Sequence, residues 1–408
     1  MTTSDQFSSY AAIIALLLVG FAIVAVIGRR AMVLRACVAG YSLHIAVSAF
    51  LLYYYGVGAI GPDAGSYNAL ANQLADSISG QSSGLTYVEG KEGWLYVLAI
   101  LYVTFGKAPE IGLIVIATLM GIVPAIMASA SRMMGWEASA RLAAWIAVLL
   151  PSLVIWPSSI LREGPSIFLL SLMVLAVGMF HRNRPLPAGV LLILATATMM
   201  WIRPPIGIAA FLGIAIAVAF APWRRTSGVM GTLIFLAPAA LALPFGLVRG
   251  SSQFSLSAAG TLRENLAAGA STSTGATAEG WDTVGGALMS MVRDLPAASF
   301  GPLPWEMLRQ PWQLAVDGVS FIVLAVFVVI ALRSRITRSE AITLVLPAIA
   351  VLLVVAAAFG NYGFVVRQRS QAVPFIIPVA AAGFMLRRRG SLAKELPMPD
   401  ATAARSHA

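Results

Sequence analysis

Long apolar runs, repeated along the chain and separated by short basic turns, constrain this sequence more than any other feature. Of its 408 residues, 59% are hydrophobic and only 11% are charged, whereas soluble domains carry about a quarter charged residues. A run of roughly 17–25 apolar residues can cross a bilayer as a helix. The sequence therefore predicts an all-α integral membrane protein, a polytopic bundle of transmembrane helices.

Eleven membrane spans are predicted. They cover residues 11–28, 36–58, 111–130, 142–156, 166–180, 186–202, 206–221, 229–248, 314–332, 341–359 and 372–386. Cytoplasmic loops carry an excess of Lys and Arg, and this arrangement places 17 of the 27 such residues on the cytoplasmic side. Membrane topology then explains the net charge of +10, and no nucleic-acid partner is expected.

The segment between the second and third predicted spans contains two further helices. Residues 93–106 are apolar but short for a span. If they crossed the membrane, most later basic turns would lie outside, so a re-entrant or interfacial segment is predicted. Before it, apolar residues recur at helical spacing, at Tyr67, Leu70, Ala71, Leu74 and Ile78. This pattern predicts an external amphipathic helix lying along the membrane surface.

The predicted organisation has six parts. They are two N-terminal spans (1–59), an extracytoplasmic loop with the amphipathic helix and the short segment (60–109), central spans (110–248), a second extracytoplasmic loop (249–312), C-terminal spans (313–390) and a disordered cytoplasmic tail (391–408). Small residues around 267–280 predict a flexible stretch in the second loop. Its later, tryptophan-containing part is compatible with interfacial helices.

Several classes of function are disfavoured by residues that the sequence lacks. Cys37 is the only cysteine, so no internal disulfide is expected, and the three histidines are scattered rather than spaced as zinc ligands. No phosphate-binding glycine loop followed by Lys and Ser or Thr occurs. The predicted spans are almost free of charge, Asp317 being the one candidate inside them, which argues against an ion-coupled transporter.

Two acidic residues follow apolar runs on the predicted external face. Asp63, with Tyr67 one turn later, has the chemistry of a general base toward a hydroxyl or of a ligand for a divalent cation. Capping of the amphipathic helix explains Asp63 equally well. Glu163 follows Arg162 in a short external turn and is a candidate second acid that orients an acceptor or a metal. The alternative is that both charges solvate helix ends.

External arginines form the third candidate group. Arg203, Arg367 and Arg369 lie, like Arg162, on the face that topology disfavours for cations. Binding of a lipid phosphate or pyrophosphate gives them a reason to be there. Their snorkelling to lipid headgroups is the alternative.

Within residues 60–185 these landmarks resemble a family. The order is Asp63-Ala-Gly-Ser-Tyr67-Asn-Ala-Leu-Ala71, the short segment 93–106, the basic turn Arg132-Met-Met-Gly135, a helix ending near Pro151, and the second external acid. It resembles the polytopic GT-C glycosyltransferases, the superfamily of protein mannosyltransferases and aminoarabinose lipid A transferases. In that family the first acid usually follows the first span, so an extra N-terminal helix is expected here. Residues 361–369 with Pro374 also look like bacterial envelope polysaccharide polymerases.

The resemblance implies transfer of a sugar from a polyprenyl-phosphate-linked donor to a glycan, lipid or protein acceptor. The reaction would occur at the extracytoplasmic face of a bacterial inner membrane. Asp63 and Glu163 would be catalytic, and the substrate-binding residues would be Tyr67, Arg162, Arg203, Arg367 and Arg369. A divalent cation at Asp63 is the one cofactor left open. Three alternatives remain: a polymerase acting on lipid-pyrophosphate-linked repeat units, a non-enzymatic transporter of lipid-linked saccharides, and a structural membrane subunit.

Overall fold

Helices dominate the structure, as the apolar runs predict. The computed structural model describes residues 3–58, 62–81, 92–220, 256–268, 272–274, 277, 279–308, 312–335 and 337–395. Within these ranges no β-strand forms, and the one β-type pairing is an isolated bridge between Ser273 and Asn361. A helix satisfies its backbone N–H and C=O groups internally, as lipid requires. The predicted all-α class is confirmed.

The helices are numbered along the described chain. The first five are α1 (Thr3–Arg30), α2 (Leu34–Phe50, prolonged by a π-helical turn at Leu51–Tyr55), α3 (Pro62–Ile78), α4 (Glu92–Phe105) and α5 (Pro109–Met133). The next five are α6 (Ala140–Leu149), α7 (Pro151–Ile155), α8 (Glu163–His181), α9 (Pro185–Ile202) and α10 (Pro204–Phe220). The last seven are α11 (Leu256–Ala267), α12 (Val284–Phe300), α13 (Pro304–Met307), α14 (Trp312–Arg333), α15 (Arg338–Ala357), α16 (Tyr362–Arg369) and α17 (Val373–Glu395).

Fewer spans are found than the eleven predicted. Seven described helices are long and apolar enough to cross a membrane, and counting two bent helix pairs as single spans gives nine. One pair bends by 59° before Pro151, where proline cannot continue the hydrogen bonding of α6. The predicted span at 206–221 corresponds to α10, whose apolar part is shorter. The one at 229–248 lies outside the described residues.

The two ends of the bundle can be told apart by contacts between helix termini. At the basic end, Arg132 Nη1 donates to the carbonyl oxygen of Ala31 at 2.7 Å, and Arg182 Nη2 donates to that of Arg132 at 2.9 Å. The α1–α2 turn, the end of α5 and the α8–α9 turn therefore meet there. The opposite end, here called the site end, contains the start of α8 and the α9–α10 junction.

The short helix α4 begins and ends at the site end. At its start, Trp94 Nε1 donates to the carbonyl oxygen of Ile160 at 3.0 Å, close to the start of α8. Just beyond its end, Lys107 pairs with Asp76 of α3. The helix that follows, α5, starts at the site end as well, where Glu110 accepts a hydrogen bond from Tyr53 at the end of α2. Both ends of α4 therefore lie at the same end of the bundle, and the position of residues 93–106 relative to a membrane stays a prediction.

The structure forms a helix, α3, where the amphipathic pattern predicts one, and the position of this helix on a membrane surface stays a prediction. Its buried face contains Ala64, Tyr67, Ala71 and Ala75, while Ile78 at its end is exposed. Tyr102 of α4 donates a 2.7 Å hydrogen bond to Asn68 Oδ1. The helix therefore packs its apolar face against α4.

Small residues bring the spanning helices close together, as in other membrane bundles. At one such crossing, between α14 and α17, a side chain added at Gly383 would overlap the backbone oxygen of Phe327. That oxygen belongs to a helix backbone and cannot swing away. Glycine is therefore required at this crossing.

Gly383→Ala is expected to destabilise the protein by about 1–3 kcal/mol, the usual cost of overpacking. Gly65→Ala is the matched control, because this helical glycine has nothing within 4 Å of an added Cβ, and alanine favours helix by about 0.5–1 kcal/mol. Thermal unfolding in detergent measures both. An unchanged midpoint for Gly383→Ala would contradict the close helix approach.

Candidate functional site

Four separate segments bring charged side chains together at the site end. They are the start of α3, the turn before α8, the α9–α10 junction and α16. The side chains form a group that we call the polar cluster, made of Asp63, Tyr67, Arg162, Glu163, Arg203 and Arg367. All but one of the predicted site residues belong to it.

Glu163 is the centre of the polar cluster. It is the first residue of α8 and is only 1% exposed. Its Oε1 atom lies 3.3 Å from Arg203 Nη2 and 3.2 Å from Arg367 Nε. A helix N-terminus also favours a carboxylate. The other carboxylate oxygen, Oε2, is buried and has no hydrogen-bond partner among the described residues, so it is placed to accept one from a ligand or from water.

Arg367 bridges the two predicted acids. Besides its contact with Glu163, its Nη1 atom donates to Asp63 Oδ2 at 3.0 Å. The Asp63 side chain is 44% exposed, against 1% for Glu163. The two carboxylates therefore differ in access: Asp63 can meet a molecule from outside, whereas Glu163 is enclosed by protein.

Asp63 lies inside the first turn of α3, because that helix begins at Pro62. A carboxylate there is favoured by the helix dipole, so a structural contribution accompanies its pairing with Arg367. One turn later, Tyr67 is 2% exposed and faces the arginines and Glu163. Burial raises the pKa of the Tyr67 phenol, and Arg162 and Arg203 partly oppose the rise. Tyr67 therefore stays neutral near pH 7.

Local sequence places Arg203 at a helix junction. The helix α9 ends at Ile202 and α10 begins at Pro204. A residue before proline is driven out of helical geometry, and Arg203 accordingly has φ −154° and ψ 79°. The Ile-Arg-Pro-Pro sequence thus breaks the helix where its arginine can reach Glu163.

Arg203 remains a cation in this setting. Burial, followed by the nearby charge of Arg162, lowers the pKa of Arg203 to about 9, and Glu163 opposes the shift. Its Nη1 atom is buried and has no hydrogen-bond partner among the described residues. Arg162 Nη1 donates to the carbonyl oxygen of Ile202 at 3.4 Å. The two arginines therefore flank the same junction.

Among the residues that the structure describes, the polar cluster brings three arginines to two carboxylates. The guanidinium group matches the geometry of phosphate oxygens. The arrangement thus favours binding of an anion such as a phosphate ester.

Arg369, the remaining predicted site residue, lies outside the polar cluster. Residues two apart on a helix point about 200° apart, so Arg367 and Arg369 face opposite sides of α16. Arg369 is fully buried, and its Nε donates to Asp317 Oδ2 at 2.9 Å while Nη1 donates to the carbonyl oxygens of Ser299 and Gly301. These contacts give Arg369 a packing role between α12, α14 and α16.

A second buried ion pair lies in the loop that the sequence suggested to be partly flexible. Arg263 of α11 is 2% exposed and places Nη2 2.5 Å from Asp294 Oδ2 of α12, with its guanidinium over the Trp281 ring. This pair was not predicted from the sequence, because the small residues around it gave no clear helical pattern for the two helices. In the same loop, Tyr362 N donates to Thr272 O at 2.9 Å and Thr274 N to Gly360 O at 3.0 Å. These described threonines are docked on the start of α16, and the flexibility of the stretch around 267–280 stays a prediction.

A metal site is not evident in the described part of the chain, which contains no group of three or more His, Cys, Asp and Glu side chains suited to an ion. A divalent cation at Asp63 stays a prediction.

The fold and the polar cluster define a class: a helical membrane protein with a largely buried, arginine-containing site at one end of its bundle. No family model, curated protein or solved structure matches the chain. The GT-C resemblance therefore remains a prediction that depends on the residues quoted above.

Proposed function

We propose that the protein is a membrane glycosyltransferase that moves a sugar from a polyprenyl-phosphate-linked donor to an extracytoplasmic acceptor. One observation carries the proposal. A half-exposed carboxylate, Asp63, is held by Arg367 beside two further arginines at the end of a strongly apolar bundle. A base next to a phosphate-binding group is what such a transfer requires.

The arginines of the polar cluster would bind the donor phosphate. The sugar leaves as the bond between its anomeric carbon and the phosphate oxygen breaks, so negative charge on the phosphate grows in the transition state. Fixed cations aimed at developing charge are a large source of rate enhancement. Arg162, Arg203 and Arg367 supply them.

Asp63 would act as the general base. The acceptor hydroxyl attacks the anomeric carbon and forms the new glycosidic bond, while its proton passes to the Asp63 carboxylate. The exposure of Asp63 supports this assignment, because the acceptor must reach it. Glu163 is enclosed and contacts two arginines. It is therefore assigned as a positioning residue that holds Arg203 and Arg367 in place.

The position of the polar cluster supports an extracytoplasmic reaction. It lies opposite the basic end, and the positive-inside rule assigns the basic end to the cytoplasm. A donor dissolved in the bilayer would reach the cluster from the membrane with its phosphate at the interface. In the bacterial case this membrane is the inner one.

The proposal is tested with purified protein in liposomes. The probes are undecaprenyl-phosphate monosaccharides of several sugars, an undecaprenyl-pyrophosphate oligosaccharide, and an extract of envelope glycans and lipids as acceptor. Release of undecaprenyl phosphate with sugar in the acceptor fraction supports the transferase. Turnover of the pyrophosphate donor alone would favour a polymerase, and movement of lipid-linked saccharide between leaflets without bond cleavage would favour a transporter.

Arg162→Gln is expected to weaken binding of undecaprenyl phosphate about tenfold or more, since a charge-assisted hydrogen bond contributes about 1.5–3 kcal/mol. Neutral undecaprenol should bind both forms alike. Arg293→Gln is the control, because Arg293 is 70% exposed and pairs with Asp294 rather than with a residue of the polar cluster. Equal affinity of Arg162→Gln and wild type for undecaprenyl phosphate would remove Arg162 from the donor site.

A further inference from the structure

A cationic cavity lies at the basic end, away from the polar cluster. It has a volume of about 540 Å³ and is lined by the α1–α2 turn and the start of α6. Its lining includes Arg29, Arg35 and Arg141. The lining residues that the structure describes include no acid. Trp145, one turn after Arg141, closes one side. The cavity therefore presents three positive charges and an aromatic wall.

An apolar groove lies next to this cavity. It has a volume of about 410 Å³ and runs between α6, α14 and α17, where Leu149, Val323 and Phe384 line it. These three side chains are between 38% and 64% exposed, so the groove is open toward the lipid phase. Trp145 lines the groove as well as the cavity. The two spaces are thus adjacent and share one wall.

We propose that this cavity and groove together bind an anionic phospholipid of the bilayer, with its phosphate among the three arginines and an acyl chain along the groove. The dimensions agree. From Arg141 to Leu149, α6 rises about 12 Å, close to the roughly 15 Å thickness of one hydrocarbon leaflet. The indole of Trp145 stands where tryptophan prefers to be, between headgroups and acyl chains.

The positive charge of the three arginines favours a lipid with an anionic headgroup. Basic pockets between helices on the cytoplasmic side bind anionic lipid headgroups, and each arginine near the surface adds attraction. Topology alone explains why arginines gather at this end, but it does not explain a cavity between them. Arg333 and Arg335 satisfy the same topological rule and do not line it. The binding site is also distinct from the proposed donor site, which lies at the opposite end.

Native mass spectrometry of the full chain in detergent tests the proposal. The probes are dioleoyl phosphatidylglycerol and dioleoyl phosphatidylcholine, with glycerol phosphate added as a competitor that lacks acyl chains. Wild-type protein is expected to retain one phosphatidylglycerol in preference to phosphatidylcholine. Excess glycerol phosphate should not displace it, because the groove contributes to binding; displacement would overturn the groove assignment.

Two sets of variants locate the site. The triple variant Arg29→Gln, Arg35→Gln, Arg141→Gln is expected to bind phosphatidylglycerol about tenfold or more weakly. The triple variant Arg333→Gln, Arg335→Gln, Arg387→Gln removes the same charge outside the cavity and should bind normally. Val323→Trp fills the groove and should reduce retention, whereas Val326→Trp on the same helix should not.

Equal losses in the two arginine triples would overturn the proposal, since binding would then follow net charge. If the cavity triple does not fold, Arg141→Gln and the two tryptophan variants decide alone. Loss in neither Arg141→Gln nor Val323→Trp would refute the site.

Discussion

Asp63→Asn is expected to lower sugar transfer by about 10²–10⁴-fold, the range that a general base contributes. Asparagine has nearly the same shape but cannot take the proton from the acceptor hydroxyl. It still accepts a hydrogen bond from Arg367, so donor binding should fall much less than turnover. The Asp63 side chain is 44% exposed, and a half-exposed ion pair contributes little to folding. Stability should therefore stay close to that of the wild type.

Asp76→Asn provides a matched control on the same helix. Asp76 also pairs with a cation, Lys107, and its side chain is 33% exposed, but it lies more than three helical turns from Asp63. The comparison uses turnover of the sugar donor in liposomes, undecaprenyl phosphate binding and thermal unfolding. Full transfer by well-folded Asp63→Asn would exclude Asp63 as the base. A parallel loss in both variants would point to helix α3 rather than to its carboxylate.

The composition of this chain predicts most of its architecture, because in lipid few structures can satisfy the hydrogen-bonding groups of the backbone. The apolar runs that the structure describes form helices, and charged turns mark their ends. The amphipathic helix α3 followed from the spacing of Tyr67, Leu70, Ala71 and Leu74, and the structure forms it at Pro62–Ile78. Span number was harder to predict, since a bend such as that before Pro151 leaves an apolar run intact while splitting its helix.

The meeting of Asp63, Glu163 and the arginines was foreseen only in part. Topology places acids and cations on one face, but it does not say which side of a helix each one occupies. Arg367 and Arg369 show the difference, because they share α16 and yet contact Glu163 and Asp317, respectively. Counting charges on each membrane face treats the two arginines alike, whereas helix geometry directs their side chains to different partners.

The Arg263–Asp294 pair shows a second limit of sequence reasoning. Arg263 and Asp294 are 31 positions apart in the sequence and belong to two different helices of a loop rich in small residues. No local pattern marks either residue, and their pairing depends on how α11 and α12 pack. Such long-range contacts need the fold before they can be recognised.

Glu163→Gln is expected to have the largest effect on stability of any substitution in the polar cluster. The carboxylate is 1% exposed and lies within 3.3 Å of two arginines. Removing one partner from a buried ion pair typically costs about 3–5 kcal/mol, because the remaining charge stays buried without compensation. Here two cations, Arg203 and Arg367, would lose their shared anion and repel each other.

Thermal unfolding in detergent measures the effect against Glu137→Gln. Glu137 also pairs with an arginine, Arg132, but its side chain is 68% exposed, so the same substitution should cost less than about 1 kcal/mol. Equal midpoints for the two variants would contradict a buried, charge-balancing role for Glu163.

The double variant Glu163→Gln, Arg203→Gln separates structure from catalysis. Removing Arg203 together with Glu163 relieves the uncompensated charge, so part of the lost stability should return, giving a coupling energy of about 0.5–3 kcal/mol. Transfer should not return, since an arginine that binds the donor phosphate is now missing. Recovery of transfer along with stability would show that Arg203 has no part in donor binding, because folding would then be the only function that the Glu163–Arg203 pair serves.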